Sequence, residues 1–183
     1  MVAKRVHDDG TSGGSARVVG LPQVVGRSPR VLILGSMPSK QSLAHSQYYA
    51  HPRNAFWPII DALGLAVAAA PYAERLRQTA CSGVALWDSL KACVRRGSLD
   101  AAIDATTEEA NDFATFFAQQ PTLVAVFFNG VKAERTFQSH VIPTLDRAIT
   151  NRIALERLPS TSPAHAVPLR RKVSAWRVIL QSL

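Results

Sequence analysis

The sequence predicts an α/β domain built on a parallel sheet covered on both faces. Four short apolar runs stand at Val31–Leu34, Val84–Trp87, Leu123–Phe128 and Ile153–Leu158. Segments with helical spacing or helix-start residues lie between them. Each run stops on polar residues. A parallel strand is buried on both faces, so it reads as a run rather than an alternation. The polar residues that follow such runs face one crevice, where ligands bind.

Taken in order, residues 1–17 carry HDDGTSGGS, polar and Gly/Ser-rich, and are expected to be a flexible tail. Residues 18–183 form one domain, with 18–29 an ordered lead-in loop. The first run ends at Gly35-Ser36 and opens a long aromatic and polar stretch to Trp57. Asn54 is suited to cap a helix through about Leu63, with Pro58 tolerated in its first turn. Pro71 suits the first position of a helix to about Thr79. The second run stops at Trp87-Asp88-Ser89. A helix is expected from about Glu108 to Gln119. The third run ends at Asn129-Gly130, and a further helix is expected from Gly130 to about His140. The fourth run passes into LPSTSPAHA, Leu158–Ala166. A last helix, Pro168–Ser182, places Leu169, Val173, Trp176, Leu180 and Leu183 on one stripe. Its other face carries Arg170, Arg171, Lys172 and Arg177, a face either solvated or set against phosphate.

Composition narrows the class. The 183 residues, 47% of them hydrophobic, are enough for one domain with a real core. No apolar run is long enough to span a bilayer, and no signal peptide is evident. Two cysteines, Cys81 and Cys93, are too few for a disulfide framework or a four-cysteine cluster, and a reduced cytoplasmic setting is expected. The net charge of +8 and the pI of about 10.2 favour a polyanionic partner, nucleic acid before membrane. There is no GxxxxGK[ST] loop, no GxGxxG after the first run, no HExxH and no G-x-S-x-G elbow. Nucleotide hydrolysis, dinucleotide binding, zinc proteolysis and the serine hydrolases are therefore unsupported.

The crevice expected at the strand ends collects Tyr48, Tyr49, His51, Arg53, Asn54, Trp87, Asp88, Asn129, Ser160, Thr161, Ser162 and His165. Aromatic faces, amides, hydroxyls and one carboxylate suit the reading of an extruded base. Trp87 reads as core, and His45 and His51 as structural.

The segments GSMPSKQSLAHSQYYAHPRNAFWPII, VALWDSL, RRGSLDAAI, FFNG and LPSTSPAHA, in this order and spacing, resemble the hypoxanthine-DNA glycosylase branch of the uracil-DNA glycosylase superfamily. The resemblance covers about Val18 to Leu183. It implies a three-layer α/β/α sandwich with a central four-stranded parallel sheet. It also implies a monofunctional enzyme without metal or cofactor, probing DNA as its partner, with a monomer expected. Such enzymes flip a deaminated base, hypoxanthine first and uracil second, and hydrolyse its N-glycosidic bond.

Under that resemblance the catalytic candidates are Asn54 and Asp88. Asn54 orients the water or hydrogen-bonds the base; as an amide it is no strong base. Asp88 accepts the N1–H of hypoxanthine or activates the water. Gly35, Ser36, Met37, Pro38 and Ser39 form the pocket floor. Ser39 stands where relatives usually have Gly, which would narrow the pocket or add a phosphate donor. Tyr49, then Tyr48, are expected to stack on the base, and Asn129 to stand at the pocket edge. Ser160, Thr161, Ser162, His165, Arg170 and Arg171 are the expected DNA contacts. The acid that other branches carry in the first motif is missing, as is the His of the uracil-specific last loop. Two other readings remain open at this stage: a non-catalytic binder of damaged or single-stranded DNA, and an enzyme acting on free nucleosides.

Overall fold

The computed structural model describes residues 16–183. The strands are β1 (Ala16–Val19), β2 (Val31–Gly35), β3 (Val84–Asp88), β4 (Leu90–Arg95), β5 (Glu109–Ala110), β6 (Ala125–Asn129) and β7 (Ala154–Leu158). The helices are α1 (Lys40–His45), α2 (Phe56–Ala62), α3 (Tyr72–Cys81), α4 (Phe113–Gln119), α5 (Val131–Thr136), α6 (Arg147–Arg152) and α7 (Leu169–Trp176). Four strands form an all-parallel sheet in the order β3-β2-β6-β7.

Side chains alternate across a strand, so each run divides between the two faces of the sheet. Val31, Ile33, Val84, Leu86, Ala125 and Phe127 pack on one side against Phe56, Trp57, Ile59 and Ile60 of α2 and Trp176 of α7. Leu32, Leu34, Ala85, Trp87, Val126 and Phe128 pack on the other against Phe113, Phe116 and Phe117 of α4 and Phe137. The result is a three-layer α/β/α sandwich. Each large apolar side chain buried this way contributes roughly 1.5–3 kcal/mol. The free edge of β3 is covered by an antiparallel bridge between Val24 and Leu86, which blunts it against further pairing. Among the described residues no helix is long and apolar enough to cross a membrane.

A second sheet, β1-β4-β5, is antiparallel and was not expected from the pattern. One residue, Ser89, separates β3 from β4, so the chain passes directly from one sheet to the other. Other expectations also need correction. The tail expected over 1–17 lies mostly outside the described residues, but Ala16 and Arg17 open β1, and Arg17 pairs with Glu109. The helix expected from Glu108 begins only at Phe113, because Asp112 caps it through Thr115 N–H at 3.0 Å. Glu108 instead turns to Lys132 as an ion pair. In the helix expected over 130–140, α5 gives way to a π turn at Phe137–Val141. In the last helix Lys172 is buried, not solvated, and its Nζ reaches the Ser162 carbonyl at 3.4 Å. Leu169 and Leu180, expected on the apolar stripe, are exposed, while Trp176 and Ile179 face the core.

Candidate active site

The carboxyl ends of the parallel strands surround a cavity of about 330 Å³, at the low end of the usual size for a small-molecule pocket. Gly35 and Asp88 are register partners at the ends of β2 and β3, and Asn129 and Leu158 at the ends of β6 and β7. All five floor residues, Gly35–Ser39, line the cavity. Gly35 has a specific reason to be glycine: an added Cβ would collide with Asp88 Oδ1. Its role is to admit the neighbouring carboxyl as much as any ligand. Met37 turns its side chain down against Leu90 and Cys93. Ser39 is the N-cap of α1, accepting from Ser42 N–H at 3.1 Å, so helix capping accounts for the hydroxyl there.

Asp88 is buried, and its Oδ2 has no hydrogen-bond partner. Burial pushes its carboxyl up to about 7, offset in part by the Tyr48 hydroxyl and raised further by Asp100. An unpartnered buried acceptor is costly, and it is retained here on the wall of a cavity.

Asn54 also lines the cavity. It precedes α2, whose N-cap is Ala55, and its Oδ1 accepts Phe56 N–H at 2.9 Å. The cap position expected at Asn54 thus falls at Ala55, with the Asn54 amide oxygen satisfying the Phe56 N–H from one residue ahead, and its amide NH₂ makes no protein hydrogen bond among the described residues. The backbone is held on both sides: Asn54 N–H donates to His51 O at 2.8 Å and Ala55 N–H to Thr161 O at 3.0 Å.

The two tyrosines divide. Tyr49 lies against Phe56, ring centroids 3.8 Å apart and nearly parallel, which leaves one face of Tyr49 uncovered by that pair. Its backbone has a positive φ of 55°, and its buried hydroxyl has no partner. Tyr48, expected as the next stacking face, also lines the cavity but is built into the core beside it. It is 3% exposed, its hydroxyl donates to the Pro22 carbonyl at 3.2 Å, and its own carbonyl accepts from Trp57 Nε1.

Asn129 is engaged on both atoms. Its Oδ1 accepts Thr161 N–H at 2.8 Å and its Nδ2 donates to Thr161 Oγ1 at 2.9 Å. It therefore fastens the last loop to the end of β6. Gly130, at φ 101°, makes the turn that follows, where Ser160 crowds close. Ser160, Ser162 and His165 line the cavity with Thr161, which is fully buried. Arg170 and Arg171 are exposed on α7, outside the cavity lining. His45 and His51 each bond to backbone, at Gln41 O and Arg53 N–H, in line with structural roles.

Sequence reasoning missed another stretch of the cavity wall. Ser98, Leu99, Asp100 and Ala101 line the cavity from a 3₁₀ turn that follows β4. Asp100 Oδ1 accepts from Ser36 Oγ at 2.6 Å. Although Asp100 as a residue is exposed, the wall around its carboxyl desolvates it and raises its pKa. Arg95, 2% exposed, donates to the carbonyls of Met37 and Pro38 at 3.5 and 2.5 Å and so holds the floor from beneath. The signal was present in RRGSLD: a turn-forming Gly-Ser after a strand, then a carboxylate.

This architecture has known counterparts. Residues 22–183 match the family described as the Uracil DNA glycosylase superfamily. A relative from Methanosarcina acetivorans named hypoxanthine DNA glycosylase is 38% identical over 115 residues, which span 62% of this chain and 72% of the relative. A relative of the same name from Methanosarcina barkeri is 36% identical over the same shares. A solution NMR structure of a Methanosarcina acetivorans protein, provisionally assigned as a uracil DNA glycosylase, superimposes with a TM-score of 0.75 at 32% identity. It covers 91% of this chain and 98% of that one. The chain belongs to the uracil DNA glycosylase superfamily and is a DNA glycosylase.

Proposed function

We propose that this glycosylase flips hypoxanthine out of DNA, and uracil second, and hydrolyses the N-glycosidic bond to leave an abasic site. The observation that carries the choice of a deaminated base over adenine is the unpartnered, buried carboxyl of Asp88 on the cavity wall. Hypoxanthine and uracil both present a ring N–H beside a carbonyl. An ionised Asp88 accepts that N–H, whereas adenine offers only a lone pair at the same edge. The relatives named for hypoxanthine support the order of preference. Tyr49 supplies the stacking face, a contact worth roughly 1–3 kcal/mol per base.

As the bond breaks, the sugar becomes oxocarbenium-like and the base leaves with the electron pair. Asn54 orients the attacking water with its amide group, which capping leaves partly free. Ser160, Ser162 and His165 at the cavity rim, with Arg170 and Arg171 beyond it, contact the DNA backbone. The site acts on DNA in a cytoplasmic setting, and the chain works as a monomer.

Duplexes carrying a single inosine or a single uracil, incubated with the protein and then treated with alkali, test this directly. Breaks at inosine, with slower breaks at uracil, are expected. Breaks at uracil alone would reverse the preference.

A further inference from the structure

Ser36 and Asp100 form a couple in the cavity wall that the reading above leaves unused. Ser36 follows β2 and Asp100 lies 64 residues further on, beyond the second sheet, yet hydroxyl and carboxylate meet at 2.6 Å. A hydroxyl that gives its one proton to a carboxylate keeps lone pairs that can only accept from a third group. Both residues line the cavity. Hydrolysis needs something to take the proton of the attacking water. Asn54 cannot, because a carboxamide is not basic. Asp88 lines the same cavity, but its carboxyl is assigned to the base.

We propose that Ser36 and Asp100 together accept the proton of the hydrolytic water. The water donates to Ser36 Oγ, and the serine proton passes to Asp100 as the water oxygen bonds to C1′. The C–N bond breaks with its electron pair on the base, which takes a proton from solvent, and Asp100 releases its own proton to solvent afterwards. Ser36 touches the water; Asp100 acts through it as a positioning partner and proton store. Arg95 of β4 and Lys132 of α5 favour the carboxylate form of Asp100; Glu108, and Asp88 at the end of β3, oppose it. The inference rests on glycosylase activity but not on which base is removed.

The test is single-turnover base release across pH, on whichever duplex the wild type cleaves, with Asp100→Asn, Asp100→Ala and Ser36→Ala. Asp100→Asn keeps an oxygen for the Ser36 hydroxyl but loses basicity. It is expected to slow release about 100-fold, with DNA affinity unchanged and thermal melting no lower than that of the wild type. It should also remove one acid-side limb of the rate profile and leave the Asp88 limb near pH 7 in place. Ser36→Ala should lose a similar factor, and the double variant little more than either alone. Full retention of rate by Asp100→Asn, or a loss with an unchanged pH profile, overturns the couple. A wild type active on uracil but not inosine would overturn the base preference and leave this test intact. A wild type inert on both would overturn the two together.

Discussion

The two walls of the pocket are held by different physics. The Asn54 wall hangs on aromatic packing: Tyr49 on Phe56, Phe56 edge-on to Trp57 and Trp176. The Asp100 wall hangs on charge and hydrogen bonds: Arg95 to the floor carbonyls, Asp100 to Ser36. The first wall therefore tolerates a change at its tip, where Asn54 contributes little to packing. The second does not tolerate removal of its buried cation. Chemistry and stability should come apart accordingly.

The sharpest probe of that contrast is Asn54→Ala. Base release should fall about 1,000-fold while stability drops by no more than about 1 kcal/mol, the worth of a lost cap. Single-turnover kinetics beside urea unfolding measures both, and retained activity would reduce Asn54 to a cap. On the other wall, Arg95→Met leaves the Met37 and Pro38 carbonyls without their donor and takes from Asp100 one of its two nearby cations. A loss of about 3 kcal/mol in urea unfolding is expected; a wild-type midpoint would mean the floor holds itself.

Asp88, where the walls meet, should behave in the opposite sense. Its folded pKa, about 7, lies above the ordinary carboxylate value, so the folded state holds this proton more tightly than the unfolded chain does. Its contribution to stability is complete below about pH 4 and is lost as pH rises towards 7. Asp88→Asn should therefore raise the melting temperature, with a gain that grows from pH 4 to 7, on the order of 2 kcal/mol at the top. The same substitution should remove the limb near pH 7 from base release. A gain independent of pH would place the effect outside this carboxyl. The smallest effect belongs beyond both walls. Arg170→Gln with Arg171→Gln should leave folding alone and lower the salt slope of DNA binding by about 2, close to one unit for each phosphate contact. An unchanged slope would make that face merely solvated.

This contrast also explains what could be read in advance. The parallel sheet was legible because strands buried on both faces, such as Val31–Leu34, carry their own signature. That Asn54, Asp88 and the floor would line one cavity was legible because strand ends and a recognisable motif order mark them. The second sheet was not, because β5 is a two-residue strand and β4 alternates too weakly around an unexpected buried Arg95. Asp100 stayed hidden for the same reason: only the path of β4 brings it to Ser36. Tyr48 and Tyr49 look alike in sequence, and the positive φ of Tyr49 is part of what sends the neighbouring rings to different places. Lys172 was misread because a basic triplet looks like one solvated face until a loop carbonyl is laid over it.

The single-residue link at Ser89 has a consequence of its own. Because β3 ends on Asp88 and β4 begins at Leu90, the parallel sheet and the small antiparallel sheet share a floor, and among the described residues only Ala110 of β5 reaches into the core of the large one. Substitutions in β4 and the turn after it therefore reach the Ser98–Ala101 stretch of the cavity while the large sheet keeps its packing. The carboxyl proposed to read the base, Asp88, thus stands on the large sheet, and Asp100, proposed to store the proton, hangs on the small one, so the two can diverge at different rates.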